Sequence, residues 1–328
     1  MRLAVFGAGA WGTAISISLA SRHSVALWAR NAGQAAEMAA TRLNQTYLPG
    51  AQLPGAVAVT ADFAQSIDGC DLMLVVTTTA GLRAVLKRVA AAKNTAPLLW
   101  LCKGFDTASA QLPHQVAADE LPATQLRGVL SGPSFAQEVA RGLPTALTLA
   151  SADAQFAQRI ARELHHDCLR VYSSEDVTGV EVAGAVKNVM AIAAGISDGL
   201  GLGYNARAAL ITRGLAEITR LGLKLGGRIE TFMGLAGIGD LTLTCTGDLS
   251  RNRRVGLELA QGLALDKVLG NLGHVAEGVY SARAVNRLAR ELAVEMPITR
   301  AVCRVIDDGV PARDAVQELL QRDPRSEH

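Results

Sequence analysis

The chain has 328 residues, enough for about two domains of roughly 150 residues, each with a core of its own. A hydrophobic share of 49% with 19% charged residues excludes a disordered chain, and a net charge of +2 with no long Lys/Arg run argues against nucleic acid. Cys70, Cys102, Cys168, Cys245 and Cys303 are scattered and form no Cys-x-x-Cys pair, which points to a reducing, cytoplasmic setting without disulfides or a zinc knuckle.

In chain order, short apolar runs alternate with helical stretches up to about residue 175. The candidate strands are Arg2–Phe6, Val25–Trp28, Val57–Thr60, Leu72–Thr77, Leu98–Cys102, Gly128–Ser131, Ala146–Ala150 and Leu169–Tyr172. Such alternation predicts a parallel sheet with helices on both faces. After Asp176 long helical periods take over: Asp176–Asp198, Asn205–Leu223, Arg251–Gln261, Ser281–Leu292, Ile298–Asp307 and Pro311–Gln321. The expected fold class is therefore α/β. A Rossmann-type doubly wound sheet occupies residues 1–178, and an all-α domain occupies residues 179–328. No signal peptide precedes the first glycines, and no uninterrupted apolar run reaches about 18 residues, so no membrane insertion is expected.

The segment Gly7-Ala8-Gly9-Ala10-Trp11-Gly12 carries the pattern G-x-G-x-x-G between an expected strand and an expected helix. In that context Gly7 allows a tight turn, Gly9 a close approach of pyrophosphate, and Gly12 helix–strand packing. The helix start offers N–H groups and a positive dipole end to phosphate. The second strand ends at Trp28-Ala29-Arg30-Asn31, where an NAD-specific site would carry a carboxylate. Arg30 is suited to a 2′-phosphate, so NADPH is expected to be favoured, with NAD also accepted. A solvated surface arginine is the plainer alternative.

Lys187 is the sole ionisable residue between Glu181 and Asp198, and its helical neighbours Ala183, Gly184, Met190 and Ala191 are uncharged. Desolvation there lowers a lysine's pKa towards neutrality, which suits a general acid/base. A lysine reaching solvent from a partly buried helix would show the same spacing. Lys103 follows the strand Leu98–Cys102, at the sheet edge where open α/β folds bind ligands. Ser131-Gly132-Pro133-Ser134-Phe135-Ala136-Gln137 again follows a strand, and Ser134 with Gln137 reads as a capping box that could also hold a ligand. Gly234 to Gly239 reads as a flexible turn placing Asp240, which could orient the Lys187 ammonium or accept a substrate hydroxyl. Ser250-Arg251-Asn252-Arg253-Arg254 combines donors suited to phosphate, or forms a solvated helix start. Nothing has the spacing of a metal site.

Taken together, these blocks resemble the soluble, biosynthetic bacterial NAD(P)-dependent glycerol-3-phosphate dehydrogenases over nearly the whole chain. The resemblance rests also on Asn205 to Arg213, Gly239 to Thr246 and Glu295 to Thr299. It implies interconversion of dihydroxyacetone phosphate and sn-glycerol 3-phosphate for glycerophospholipid synthesis, and a helical domain of the 6-phosphogluconate-dehydrogenase type. It implies Lys187 as proton acceptor in the oxidative direction. Lys103, Gly132, Ser134, Lys187, Asp240, Ser250, Arg251 and Asn252 would contact substrate. Ala10, Trp11, Arg30, Tyr47, Lys103, Ala136, Arg251, Val275 and Glu277 would contact cofactor. Cys102 stands where relatives often carry a hydroxyl residue, and Ser134 where many carry Thr. A β-hydroxyacid dehydrogenase of the same superfamily and a non-catalytic NADP(H) sensor remain alternatives. The Ala-rich helical half is compatible with a homodimer.

Overall fold

The computed structural model describes residues 1–272 and 276–321. The chain divides into two compact units, Met1–Glu181 and Val182–His328. The division falls inside the helix Val177–Gly199, a few residues from the boundary the texture change suggested.

In the first unit the strands are β1 (Arg2–Phe6), β2 (Ser24–Trp28), β3 (Leu43–Asn44), β4 (Leu48–Gln52), β5 (Val57–Thr60), β6 (Leu72–Val75), β7 (Leu98–Trp100), β8 (Arg127–Ser131), β9 (Thr145–Ala150) and β10 (Leu169–Ser174). Eight of them form one sheet in the order β10-β9-β8-β7-β6-β1-β2-β5. From β1 the chain builds outward through β2 and β5, then crosses back to β6 on the other side of β1. That reversal places a ligand crevice outside the carboxyl ends of β1 and β6. After Arg2, β1 is an unbroken apolar run, as is β6, because both faces of the sheet are covered: Leu3 to Phe6 and Leu72 to Val75 are all fully buried.

The sheet is not wholly parallel, as the alternation had suggested. β9 runs antiparallel to β8, while β10 is parallel to β9. The link from β8 to β9 contains only the five-residue helix Ala136–Ala140. Its Val139 packs with Ala14 of the first helix (Ala10–Leu19) and Leu48 of β4, so no helix crosses the sheet face and the chain returns the other way. β3 and β4 form a separate antiparallel pair that the sequence pattern did not reveal.

All described elements after β10 are helices: Val177–Gly199, Gly203–Lys224, Ile229–Phe232, a π-helical turn Leu235–Gly239, Asp240–Thr246, Arg251–Ala260, Leu265–Leu272, Glu277–Glu291, Pro297–Asp307 and Ala312–Leu320. Val177–Gly199 is long and apolar enough to cross a membrane, yet all of its apolar window is buried inside the protein. It is a core helix. Its start is tied down by Glu181, whose carboxylate accepts from Trp100 Nε1 at 2.7 Å and from the backbone of His114 at 2.9 Å. Further along, Gly195 and Gly256 let this helix and Arg251–Ala260 touch backbone to backbone. A Cβ on Gly195 would lie 1.9 Å from the Arg253 carbonyl, and one on Gly256 would lie 2.0 Å from that of Ile192. The Ser250–Arg254 block is thereby fixed against the helix that carries Lys187.

Candidate active site

The glycine loop has the geometry its spacing implied. Gly7 follows β1 with φ +118°, and a side chain there would strike the Val76 carbonyl at 2.7 Å. Gly12 packs so closely that a Cβ would stand 1.8 Å from the Gly7 carbonyl. Gly9 differs: a Cβ there meets nothing within 4 Å. Its missing side chain serves no internal packing and leaves an open approach to the backbone. The first turn of the following helix has no acidic residue, and Gly9 brings no side-chain cap to its N–H groups. Such a helix start accepts a phosphate. The buried hydroxyls of Thr77 and Ser131, after β6 and at the end of β8, have no hydrogen-bond partner among the described residues. These features fit a dinucleotide.

Arg30 ends the β2 segment exposed, with no ion pair among the described residues. Ala10 and Trp11 in the first helix turn are half-buried, as is Ala136, and Tyr47 is 40% exposed between β3 and β4. Glu277 is half-buried at the start of its helix. Val275 lies outside the described residues.

Past β7 and β8 the structure joins three expected site residues. Lys103 Nζ and Ser134 Oγ both donate to the Gly132 carbonyl, each at 2.9 Å. Ser134 is not the helix cap its spacing suggested, because the helix begins at Ala136 with Phe135 in the cap position. Gly132, at φ +141°, turns the chain so that the hydroxyl meets that carbonyl instead.

In the second unit Lys187 is buried, and its Nζ donates to Asp240 Oδ1 at 2.5 Å and to Thr244 Oγ1 at 2.9 Å. Burial disfavours an ammonium, and the equally buried Asp240 carboxylate supplies the compensating charge. Thr244 in turn donates to the Asp240 backbone carbonyl at 2.6 Å. Its role escaped the sequence reading, although four residues from Asp240 is one helical turn. The flexible turn expected before Asp240 is instead a π-helical turn, a form often found at functional sites. Gly237 in it serves packing: a Cβ there would lie 2.0 Å from the Phe232 carbonyl. Asp240 is therefore rigidly placed. The neighbouring Cys245 thiol is pushed up to about 12 by burial, so it is no thiolate at neutral pH.

The basic block divides by partner. Ser250 Oγ caps its helix by accepting from Arg253 N at 3.2 Å. Asn252 donates to Asn188 Oδ1 at 3.0 Å and accepts from Gly278 N at 3.0 Å. Arg253 is spent on Asp198 at 2.8 Å and Asp248 at 2.9 Å, and Arg254 faces Glu258. Arg251 alone in the block is exposed without a hydrogen bond or ion pair among the described residues. No group of three His, Cys, Asp or Glu among the described residues could hold a metal ion.

A family model described as NAD-dependent glycerol-3-phosphate dehydrogenase N-terminus matches residues 2–157, and one described as the C-terminus matches residues 176–317. The chain is 59% identical to the NAD(P)+ glycerol-3-phosphate dehydrogenase of Thiobacillus denitrificans, over 100% of both chains. It is 58% identical to that of Nitrosospira multiformis, over 100% of this chain and 99% of the relative. The crystal structure of glycerol-3-phosphate dehydrogenase from Coxiella burnetii superposes with a TM-score of 0.93 at 43% identity, covering 98% of this chain and 99% of that one.

Proposed function

The chain belongs to the NAD-dependent glycerol-3-phosphate dehydrogenase family, and on that premise we propose that Lys187 moves the proton when dihydroxyacetone phosphate and glycerol 3-phosphate interconvert. The observation that carries this is the buried Lys187 ammonium held between Asp240 and Thr244. In the reducing direction Nζ donates to the oxygen that becomes the product hydroxyl; in the oxidising direction it takes that proton back. A fixed positive charge at that oxygen also stabilises the alkoxide as it develops. Asp240 and Thr244 hold Nζ in place, so little reorganisation accompanies the transfer.

The nicotinamide cofactor supplies the hydride when bound. Gly7, Gly9 and Gly12 with the first helix turn would hold its pyrophosphate, and Ala10, Trp11, Tyr47, Ala136, Val275 and Glu277 would complete its surroundings. Arg30 would pair with a 2′-phosphate, favouring NADPH over NADH. Arg251 anchors the substrate phosphate, supported by an exposed guanidinium that has no ion pair among the described residues. The Ser250 hydroxyl accepts a backbone N–H and keeps its own proton to donate. Asn252 holds the block against Asn188. Lys103, with Gly132 and Ser134, meets substrate at the sheet edge. Remote phosphate binding is thereby converted into alignment of the carbonyl.

We place the enzyme in the cytoplasm, on its five free cysteines, supplying glycerol 3-phosphate for glycerophospholipid synthesis. A homodimer through the helical unit, where Tyr204, Ile229 and Met233 are exposed, is part of the proposal. The test is oxidation of NADPH on adding dihydroxyacetone phosphate. Lys187→Ala is expected to lower kcat by about two to four orders of magnitude while NADPH still binds. A near-normal kcat in that variant would overturn the assignment.

A further inference from the structure

We propose that Asn44 is a positioning residue that sets the glycine loop for its cofactor, an inference that rests on the reading that this loop holds the pyrophosphate. Asn44 ends β3 and is 1% exposed. Its Nδ2 donates to the Ala8 carbonyl at 3.0 Å and to Thr13 Oγ1 at 2.7 Å, and its Oδ1 accepts from Tyr47 N at 3.2 Å. One buried amide therefore grips the glycine loop, the first helix and the turn that carries Tyr47. Gln34 Nε2 adds a second donor to the same Ala8 carbonyl at 2.8 Å.

The Ala8 carbonyl is half of a peptide plane whose other half is the Gly9 N–H. In a trans peptide the two bonds point in opposite directions, so fixing the carbonyl fixes the N–H. Gly9 is the residue of the loop whose Cβ position is open space. Left without those donors, a loop built on Gly7 and Gly9 would have many conformations open to it. Cofactor binding would then have to select one of them and lose affinity accordingly. Asn44 acts before binding and takes no part in the proton or hydride step. Its loss should therefore appear in the cofactor terms alone.

The test compares Asn44→Ala, Asn44→Asp, Gln34→Ala and Gly9→Ala with the parent enzyme. Asn44→Asp keeps the size and the acceptor for Tyr47 N but loses both donors. NADPH affinity is read by fluorescence titration, beside kcat and both KM values. For the two Asn44 variants the Kd and KM for NADPH should rise about tenfold or more. The KM for dihydroxyacetone phosphate and kcat at saturating NADPH should stay within about twofold. Gln34→Ala should show a smaller rise in the same direction, and it carries the test should the Asn44 variants not fold. Unchanged NADPH affinity, or a parallel rise in the substrate KM, overturns the proposal. Gly9→Ala introduces no internal clash and separates the two levels. If it weakens NADPH binding while the Asn44 variants do not, only the role of Asn44 falls. If it leaves binding intact, the loop reading falls and this inference with it.

Discussion

Thr244 closes the clamp on the Lys187 ammonium, and its value can be isolated by Thr244→Val, which keeps the volume and removes the hydroxyl. Asp240 remains, so the charge is still compensated, but an oxygen that accepts from Nζ is lost. A lost hydrogen bond to a charged group is worth about 1.5–3 kcal/mol, so kcat should fall roughly tenfold to a hundredfold with NADPH affinity unchanged. An unaltered kcat would show that the Thr244 hydroxyl is not needed to orient the lysine. Arg251→Ala should act differently, raising the KM for dihydroxyacetone phosphate far more than it lowers kcat. An unchanged KM would remove its anchoring role. In the sequence Lys187 stands out as the one charge between Glu181 and Asp198, and the basic block stands out by composition. The sequence did not distinguish Arg251 from Arg253, because Asp198, one of the two carboxylates that occupy Arg253, is far away in the chain. Asn44 was likewise invisible, since an asparagine in a two-residue strand carries no spacing signal of its own.

Between elements, a buried carboxyl with its titration displaced sits at Glu217. This buried side chain of the helix Gly203–Lys224 accepts from Ile298 N at 2.6 Å and from Thr299 N at 3.2 Å, capping the helix Pro297–Asp307. Burial pushes its carboxyl up from 4.5 to about 7, even though the hydrogen bonds from Ile298 and Thr299 and the nearby Arg220 favour the charged form. Between those two values the folded protein holds a proton that the unfolded chain has released. Stability contributed by this group is therefore greatest below about pH 4.5, falls as pH rises, and reaches its floor above about pH 7. The span corresponds to about 3 kcal/mol. Glu217→Gln cannot ionise, so its unfolding midpoint should change less than the parent's between pH 5 and pH 8. A pH dependence identical to the parent's would refute the shift. Helices of this length were legible from their periodicity to within a few residues. The direction of β9 was not, because the side-chain pattern of a strand reads the same whichever way it runs in the sheet, and the β3–β4 pair is too short to show a period.

Across the whole molecule, the change from alternating strands and helices to long helices marked two units, and each has its own chemistry: the glycine loop in the first, the lysine clamp and the basic block in the second. Units with separate cores need not unfold together, so the transition of the unit that carries the glycine loop is the one to read. NADPH binds the folded loop and not the unfolded chain, so at a hundredfold excess over its Kd it should stabilise that transition by about 2.7 kcal/mol. If Arg30 pairs with the 2′-phosphate, NADH at the same concentration binds more weakly, and a tenfold weaker Kd removes about 1.4 kcal/mol of that gain. The two cofactors should then differ by a few degrees in midpoint, roughly, and Arg30→Ala should bring the NADPH midpoint down to that of NADH. Equal shifts for both cofactors in the parent enzyme would leave Arg30 a solvated surface residue and would move the choice of cofactor elsewhere in the site.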